Sequence, residues 1–190
     1  MAVISDQCRF VYFGIPKTGT NSVASILRSS FGGRAIGGYH TASVSVPPGY
    51  LAWATVRNPW TRLLSWWHAW THSPRAPKDP VQGCTFLAFI AFLTDNREGD
   101  DLPKNAKHMR SPQQQFIAVQ PCSRIVRLEH LAEDFASLPF GKVESFGRQN
   151  PGCWKGGVAS FYDDLATAEA IRYGVAEECA ALGYPAEIPE

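Results

Sequence analysis

Tyr12–Val23 reads YFGIPKTGTNSV, a turn-forming segment set between an apolar run and an amphipathic one. The run before it, RFVYFGI (Arg9–Ile15), is short, β-branched and aromatic, the composition of a buried strand. After it, Val23, Ile26, Leu27 and Phe31 recur at i, i+3, i+4 and i+8, which gives a helix one apolar face. Phe31-Gly32-Gly33 stops that helix. A glycine-bearing loop between a strand and a helix N-terminus presents backbone N–H groups and the helix dipole to an anion. Gly14 and Gly19 are spaced as in G-x-x-x-x-G-K-[ST], but Thr20 and Asn21 stand where that motif has Lys and Ser/Thr. The lysine, Lys17, lies inside the loop instead.

Working outward, residues 32–50 (GGRAIGGYHTASVSVPPGY) are rich in Gly, Ser and Pro without a period and read as loop. LAWATVR (Leu51–Arg57) reads as a second apolar strand, and NPWTRLLSWWHAW as a helix with Pro59 in its first turn. A proline-broken loop follows, then an apolar helix over Thr85–Leu93, a polar stretch over 95–112 and a short helix over Gln113–Val119. RIVRLEHL (Arg124–Leu131) reads as a third strand running into a helix. Phe161, Leu165, Ala168, Ile171, Val175, Cys179 and Leu182 trace one long amphipathic helix. Strands alternating with helices imply an α/β fold with a parallel sheet covered on both faces and ligands at the carboxyl ends of the strands.

The 190 residues are expected to form a single domain, 1–190, large enough for a proper core. A hydrophobic fraction of 45% and a charged fraction of 18% are those of an ordinary soluble protein. The net charge of +1 conceals an asymmetry: residues 1–80 carry +6 and residues 81–190 carry −5. A basic N-terminal part suits a small anionic ligand, whereas nucleic acid asks for a more basic domain. The five cysteines are scattered without a C-x-x-C pair, which gives no support to a metal or redox motif and leaves a Cys122–Cys153 pair open. With no signal peptide and no long apolar run, and with the first strand expected within about ten residues of Met1, a cytoplasmic protein without a membrane span is expected.

Two strand-to-helix corners carry the candidate ligand groups. The first has Lys17, the amides of Thr18, Gly19, Thr20 and Asn21, and the hydroxyls of Thr18, Thr20 and Ser22; the second has Arg57 and, two turns along its helix, Ser65. No strand-end acid and no Walker-position Ser/Thr is placed for Mg²⁺, which a nucleoside triphosphate would want. The pair of corners therefore favours a ligand with two separated phosphates and no obligatory metal.

IPKTGTNS resembles the 5′-phosphosulfate loop of the sulfotransferases, P-K-[TS]-[GA]-[TGS]-[TS]-S in their carbohydrate branch, with Asn21 departing from the usual Thr or Ser. VRNPWTRLLSWW resembles the 3′-phosphate motif of that family, R-[DN]-P-x-x-R-x-x-S-x-[YW]. KHMRSPQQQF looks like its H-x-x-P-Q segment, IVRLEHLAEDF like its E-[ND]-L strand-helix, and the stretch ending in Gly183-Tyr184 like its closing helix. The resemblance implies a three-layer P-loop-NTPase-like fold and 3′-phosphoadenosine 5′-phosphosulfate (PAPS) as donor. Transfer would go to a hydroxyl of a glycan, glycolipid or small metabolite. It implies Lys17 at the bridging oxygen of the leaving phosphate, loop groups through Ser22 on the 5′-phosphate, and Arg57 and Ser65 on the 3′-phosphate. Arg62 matches the second arginine of the 3′ motif and is expected to serve structure. Lys155 is a candidate late-loop contact, His40 the first candidate general base and His108 the second. His68, His72 and His130 are expected in structural roles, Glu129 as an orienting residue, and most tryptophans of SWWHAW in the core. A nucleotide kinase with an aberrant loop and a non-catalytic nucleotide-binding module are the alternatives.

Overall fold

Ala2-Val3-Ile4-Ser5 opens the chain as β1 (Ala2–Ser5), and four residues later Phe10–Phe13 forms β2. So short a connection permits only antiparallel pairing, and Ala2 lies against Phe13 and Ser5 against Phe10. Arg9, at φ 52°, takes the left-handed turn position. After α1 (Thr20–Ser30), β3 (Arg34–Ile36) pairs antiparallel with β1. β4 (Leu51–Val56) then lies parallel to β2, and β5 (Arg124–Arg127) parallel to β4. Among the described residues the sheet is five-stranded, in the order β3-β1-β2-β4-β5. The computed structural model describes residues 1–37, 44–72, 83–95, 107–140, 146 and 157–190.

The sheet is thus mixed, with the expected parallel arrangement in its central and β5 strands. The three strands read from the sequence form its parallel half, while β1 and β3 are antiparallel additions of four and three residues, too short to show a period. β3 also lies within the segment expected to be loop. Arg124–Leu131 gives up its strand at Arg127, where a 3-10 turn (Leu128–His130) leads into α6 (Leu131–Ala136).

The chain divides into two compact units, Met1–Arg57 with Gln113–Pro151, and Asn58–Pro112 with Gly152–Glu190. The first holds the sheet. Val3, Phe10, Tyr12 and Trp53 on one sheet face pack with Val23, Ala24 and Leu27 of α1 and Phe135 of α6. Trp53, fully buried, meets Tyr12 at 4.6 Å and the Phe135 ring edge-on at 5.7 Å. The short helix α5 (Gln113–Ala118) belongs to this unit.

The second unit is helical: α2 (Pro59–His72), α3 (Phe86–Asp95), α4 (Lys107–Arg110), a 3-10 turn (Val158–Phe161), α7 (Asp164–Tyr173) and α8 (Val175–Leu182). Its core gathers Trp60, Leu63, Leu64, Phe89, Ile90 and Leu93 with Tyr162, Ala166, Ala170 and Cys179. The single closing helix expected from periodicity is two helices. Gly174 breaks it at φ 101°, a left-handed conformation that no helix interior accommodates. Trp70 is buried, as core packing requires, and Trp66 and Trp67 are half-buried against the same cluster. Cys8, Cys84, Cys122 and Cys179 are free thiols, while Cys153 lies outside the described residues.

Candidate active site

β2 runs out at Phe13 directly beside Ala54 of β4, so the loop that follows lies against the carboxyl end of its parallel neighbour. Gly14 donates its N–H to the Met1 carbonyl at 3.0 Å. A Cβ at Gly14 would stand 2.2 Å from Thr20 Cγ2, so the loop closes on its own helix only with glycine there. Lys17 at φ 69° and Gly19 at φ 78° bracket Thr18, left-handed backbone of the kind found where main-chain N–H groups gather around an anion. Gly19 caps α1 without a side-chain bond, and the first turn holds no acidic residue. The first helical bond runs from Val23 N–H to Gly19 C=O at 3.1 Å, so the amides of the preceding residues lie outside the helical ladder. Such a helix end attracts an anion.

A file of hydroxyls holds this loop to the sheet. Thr18 Oγ1 donates to the Ile15 carbonyl at 2.9 Å, which uses its one proton. The 3.0 Å contact with Thr55 Oγ1 must then be Thr55 donating to Thr18. By the same count Tyr12 Oη donates to Thr55 at 2.8 Å. The order is Tyr12 to Thr55 to Thr18 to Ile15, from β2 through β4 into the loop, and all four residues are buried. Burial pushes the Tyr12 phenol up to about 12, so it stays protonated as this chain needs. Thr20 Oγ1 also donates to Ile15 C=O, at 2.5 Å. What Thr18 and Thr20 offer an anion is therefore the main chain, since their hydroxyl protons are used inside the protein.

Lys17 is half-buried, and desolvation, followed by the neighbouring Arg57 charge, lowers its ammonium to about 8. Arg57, just past β4, donates from Nη1 to the Lys17 carbonyl at 3.4 Å. The Arg57 guanidinium thus reaches the main chain of the loop from the second corner, and its charge is near enough to act on the Lys17 ammonium.

With that geometry in hand, the sequence matches the Sulfotransferase family over residues 1–139. The chain belongs to the sulfotransferase family. No curated protein and no solved structure matches it. The matched span of this sulfotransferase takes in β1 through α6, with the loop, Arg57, Ser65 and the H-x-x-P-Q segment.

Of the other expected site residues of the sulfotransferase, Asn21 is exposed and Ser22 half-buried in the first turn of α1. Ser65 is half-buried on α2 in the helical unit. His108 is half-buried on α4, and burial lowers its pKa, so its imidazole is neutral at pH 7. His40 and Lys155 lie outside the described residues. His130 is exposed, 3.7 Å from Glu133, and Glu129 is exposed on the 3-10 turn. Arg62 is 4% exposed, its guanidinium 3.4 Å from Glu178 and donating to Ser111 C=O at 3.1 Å, the structural role expected of it.

Three residues escaped the sequence reading. In the sequence Tyr12 and Thr55 read only as strand residues, because a hydroxyl file has no local pattern. Asn58 caps α2, accepting the Trp60 N–H at 3.0 Å ahead of Pro59. Among the described residues no helix is long and apolar enough to cross a membrane, and no group of three or more His, Cys, Asp or Glu could hold a metal ion.

Proposed function

We propose that this sulfotransferase uses PAPS as donor and a hydroxyl of a glycan, glycolipid or small metabolite as acceptor, with no metal. The observation that carries the donor assignment is the meeting of Lys17 and Arg57 beside the acid-free N-terminus of α1. A ligand with two phosphates and no accompanying cation fits that charge, as PAPS requires. When bound, the donor supplies a sulfuryl group on a phosphosulfate linkage whose bridging oxygen gathers negative charge as the group departs.

Lys17 holds its ammonium for that oxygen, and the amides of the loop and the first turn of α1 hold the 5′-phosphate. Arg57 takes the 3′-phosphate through its fork of N–H donors. His108, neutral at pH 7, is the described candidate to accept the acceptor's proton, and His40 is the other. Ser65, Lys155 and the two histidines enter this reading through family motifs and chemistry. The family match runs through both compact units, which supports reading them as one P-loop-like α/β domain.

Calorimetric titration with 3′-phosphoadenosine 5′-phosphate (PAP), ADP and ATP, each with and without Mg²⁺, tests the donor. Metal-independent binding of PAP, lost in Arg57→Ala, is expected. Binding of ATP only with Mg²⁺ would point to the kinase reading and remove the donor assignment.

A further inference from the structure

Gln113 is uncharged and fully buried, at 0% exposure, yet its amide is matched to one residue of the site. Arg57 N–H donates to Gln113 Oε1 at 2.8 Å, and Gln113 Nε2 donates to Arg57 C=O at 2.9 Å. The two residues are 56 apart in sequence. The need for this pairing follows from the sheet. The ladder between β4 and β5 ends at Val56 opposite Arg127, and β5 then turns into the 3-10 helix at Leu128. Arg57 therefore stands one step past the ladder, and the side chain of Gln113 does there what a further strand residue would do.

A primary amide carries an acceptor and two donors on one rigid plane, so it can meet the N–H and the C=O of a single residue together. Holding both peptide groups that flank the Arg57 Cα fixes the direction of its Cα–Cβ bond, and so the arc its guanidinium sweeps. The guanidinium is delivered next to the Lys17 carbonyl at 3.4 Å. An apolar residue would fill the same buried space without this control, and a buried amide is costly unless its groups are paired.

We propose that Gln113 is a positioning residue that aims Arg57 and thereby sets discrimination for a 3′-phosphorylated nucleotide. The inference rests on the proposed role of Arg57 at the 3′-phosphate. Gln113 acts on the ligand through Arg57 and not by touching it.

The test compares calorimetric affinities for PAP and AMP, which differ by the 3′-phosphate. It uses the full chain as wild type, Arg57→Ala, Gln113→Met and the double variant, each with a thermal melt. Gln113→Met keeps length and bulk but can pair with neither Arg57 group. It is expected to lose about tenfold in PAP affinity while AMP affinity moves by less than about twofold. In the double variant, Gln113→Met should add little to the loss that Arg57→Ala already causes, because Gln113 acts through Arg57. Gln113→Asn, one methylene shorter, is the milder variant should Gln113→Met fail to fold, with the same preferential loss of PAP binding expected. Parallel loss of PAP and AMP affinity in a folded variant would make Gln113 purely structural and overturn the inference. An unchanged PAP-to-AMP ratio in Arg57→Ala would instead remove the 3′-phosphate role of Arg57, and the inference with it.

Discussion

Lys17 combines two unfavourable features at one residue: a left-handed backbone and a desolvated charge. A non-glycine residue at φ 69° costs on the order of 1–2 kcal/mol. Its folded pKa of about 8 lies below the ordinary lysine value of 10.5, so at neutral pH burial of the ammonium opposes folding. Between these two values the unfolded chain retains a proton that the folded one has released, and the Lys17 contribution to stability rises with pH across that window. The proposed role of Lys17 asks the opposite, since the ammonium is the form that would meet an anion. The kcat/KM profile is therefore expected to fall as pH rises through about 8, and Lys17→Arg to move that alkaline limb upward. A limb that stays in place in Lys17→Arg would belong to another group. Lys17→Met should abolish transfer and raise the melting temperature at neutral pH, a trade expected where a site residue is strained.

At the scale of elements, the loop before α1 is positioned by two strands that the chain reaches some forty residues apart, Tyr12 from β2 and Thr55 from β4. Thr55→Val keeps the shape but leaves Tyr12 and Thr18 each short of a buried partner. It should cost about 1–3 kcal/mol of stability by urea unfolding and weaken PAP binding, with Thr55→Ser restoring both. Equal urea midpoints for wild type and Thr55→Val would mean that the file does not clamp the loop. The elements legible in the sequence were those long enough to show a period: β2, α1, β4, α2 and α3 appear within a residue or three of where composition put them. β1 and β3 are too short for that. The break at Gly174 was hidden because the apolar spacing carries straight through it, from Ile171 to Val175, and only the φ of one residue changes the direction.

For the molecule as a whole, the chain passes from the sheet unit to the helical unit at Asn58, back at Gln113 and across again at Gly152. The family match ends at residue 139, but the core of the helical unit does not. Tyr162, Ala166, Ala170, Val175 and Cys179 complete it, and Tyr162 Oη donates to Trp60 C=O at 2.7 Å. Glu178, 6% exposed, faces the buried Arg62, and removing one partner of a buried ion pair typically costs about 3–5 kcal/mol. A fragment of residues 1–139 should therefore show no cooperative thermal transition, although it holds every residue that matches the family. A sharp melt equal to that of the full chain would show that the closing helices are dispensable.

The sequence by itself determined the strand-loop-helix around Lys17, the second corner at Arg57 and the family, because each is written in contiguous residues whose spacing follows from local geometry. It also marked Gln113 as part of a family segment without assigning it work. Tertiary structure alone decided that Lys17 and Arg57 meet, that Thr18 spends its hydroxyl inside the protein, and that Gln113 holds the main chain of Arg57. Each of those depends on strand order and register, which bring together residues dozens of positions apart, and no local pattern records which strand lies beside which.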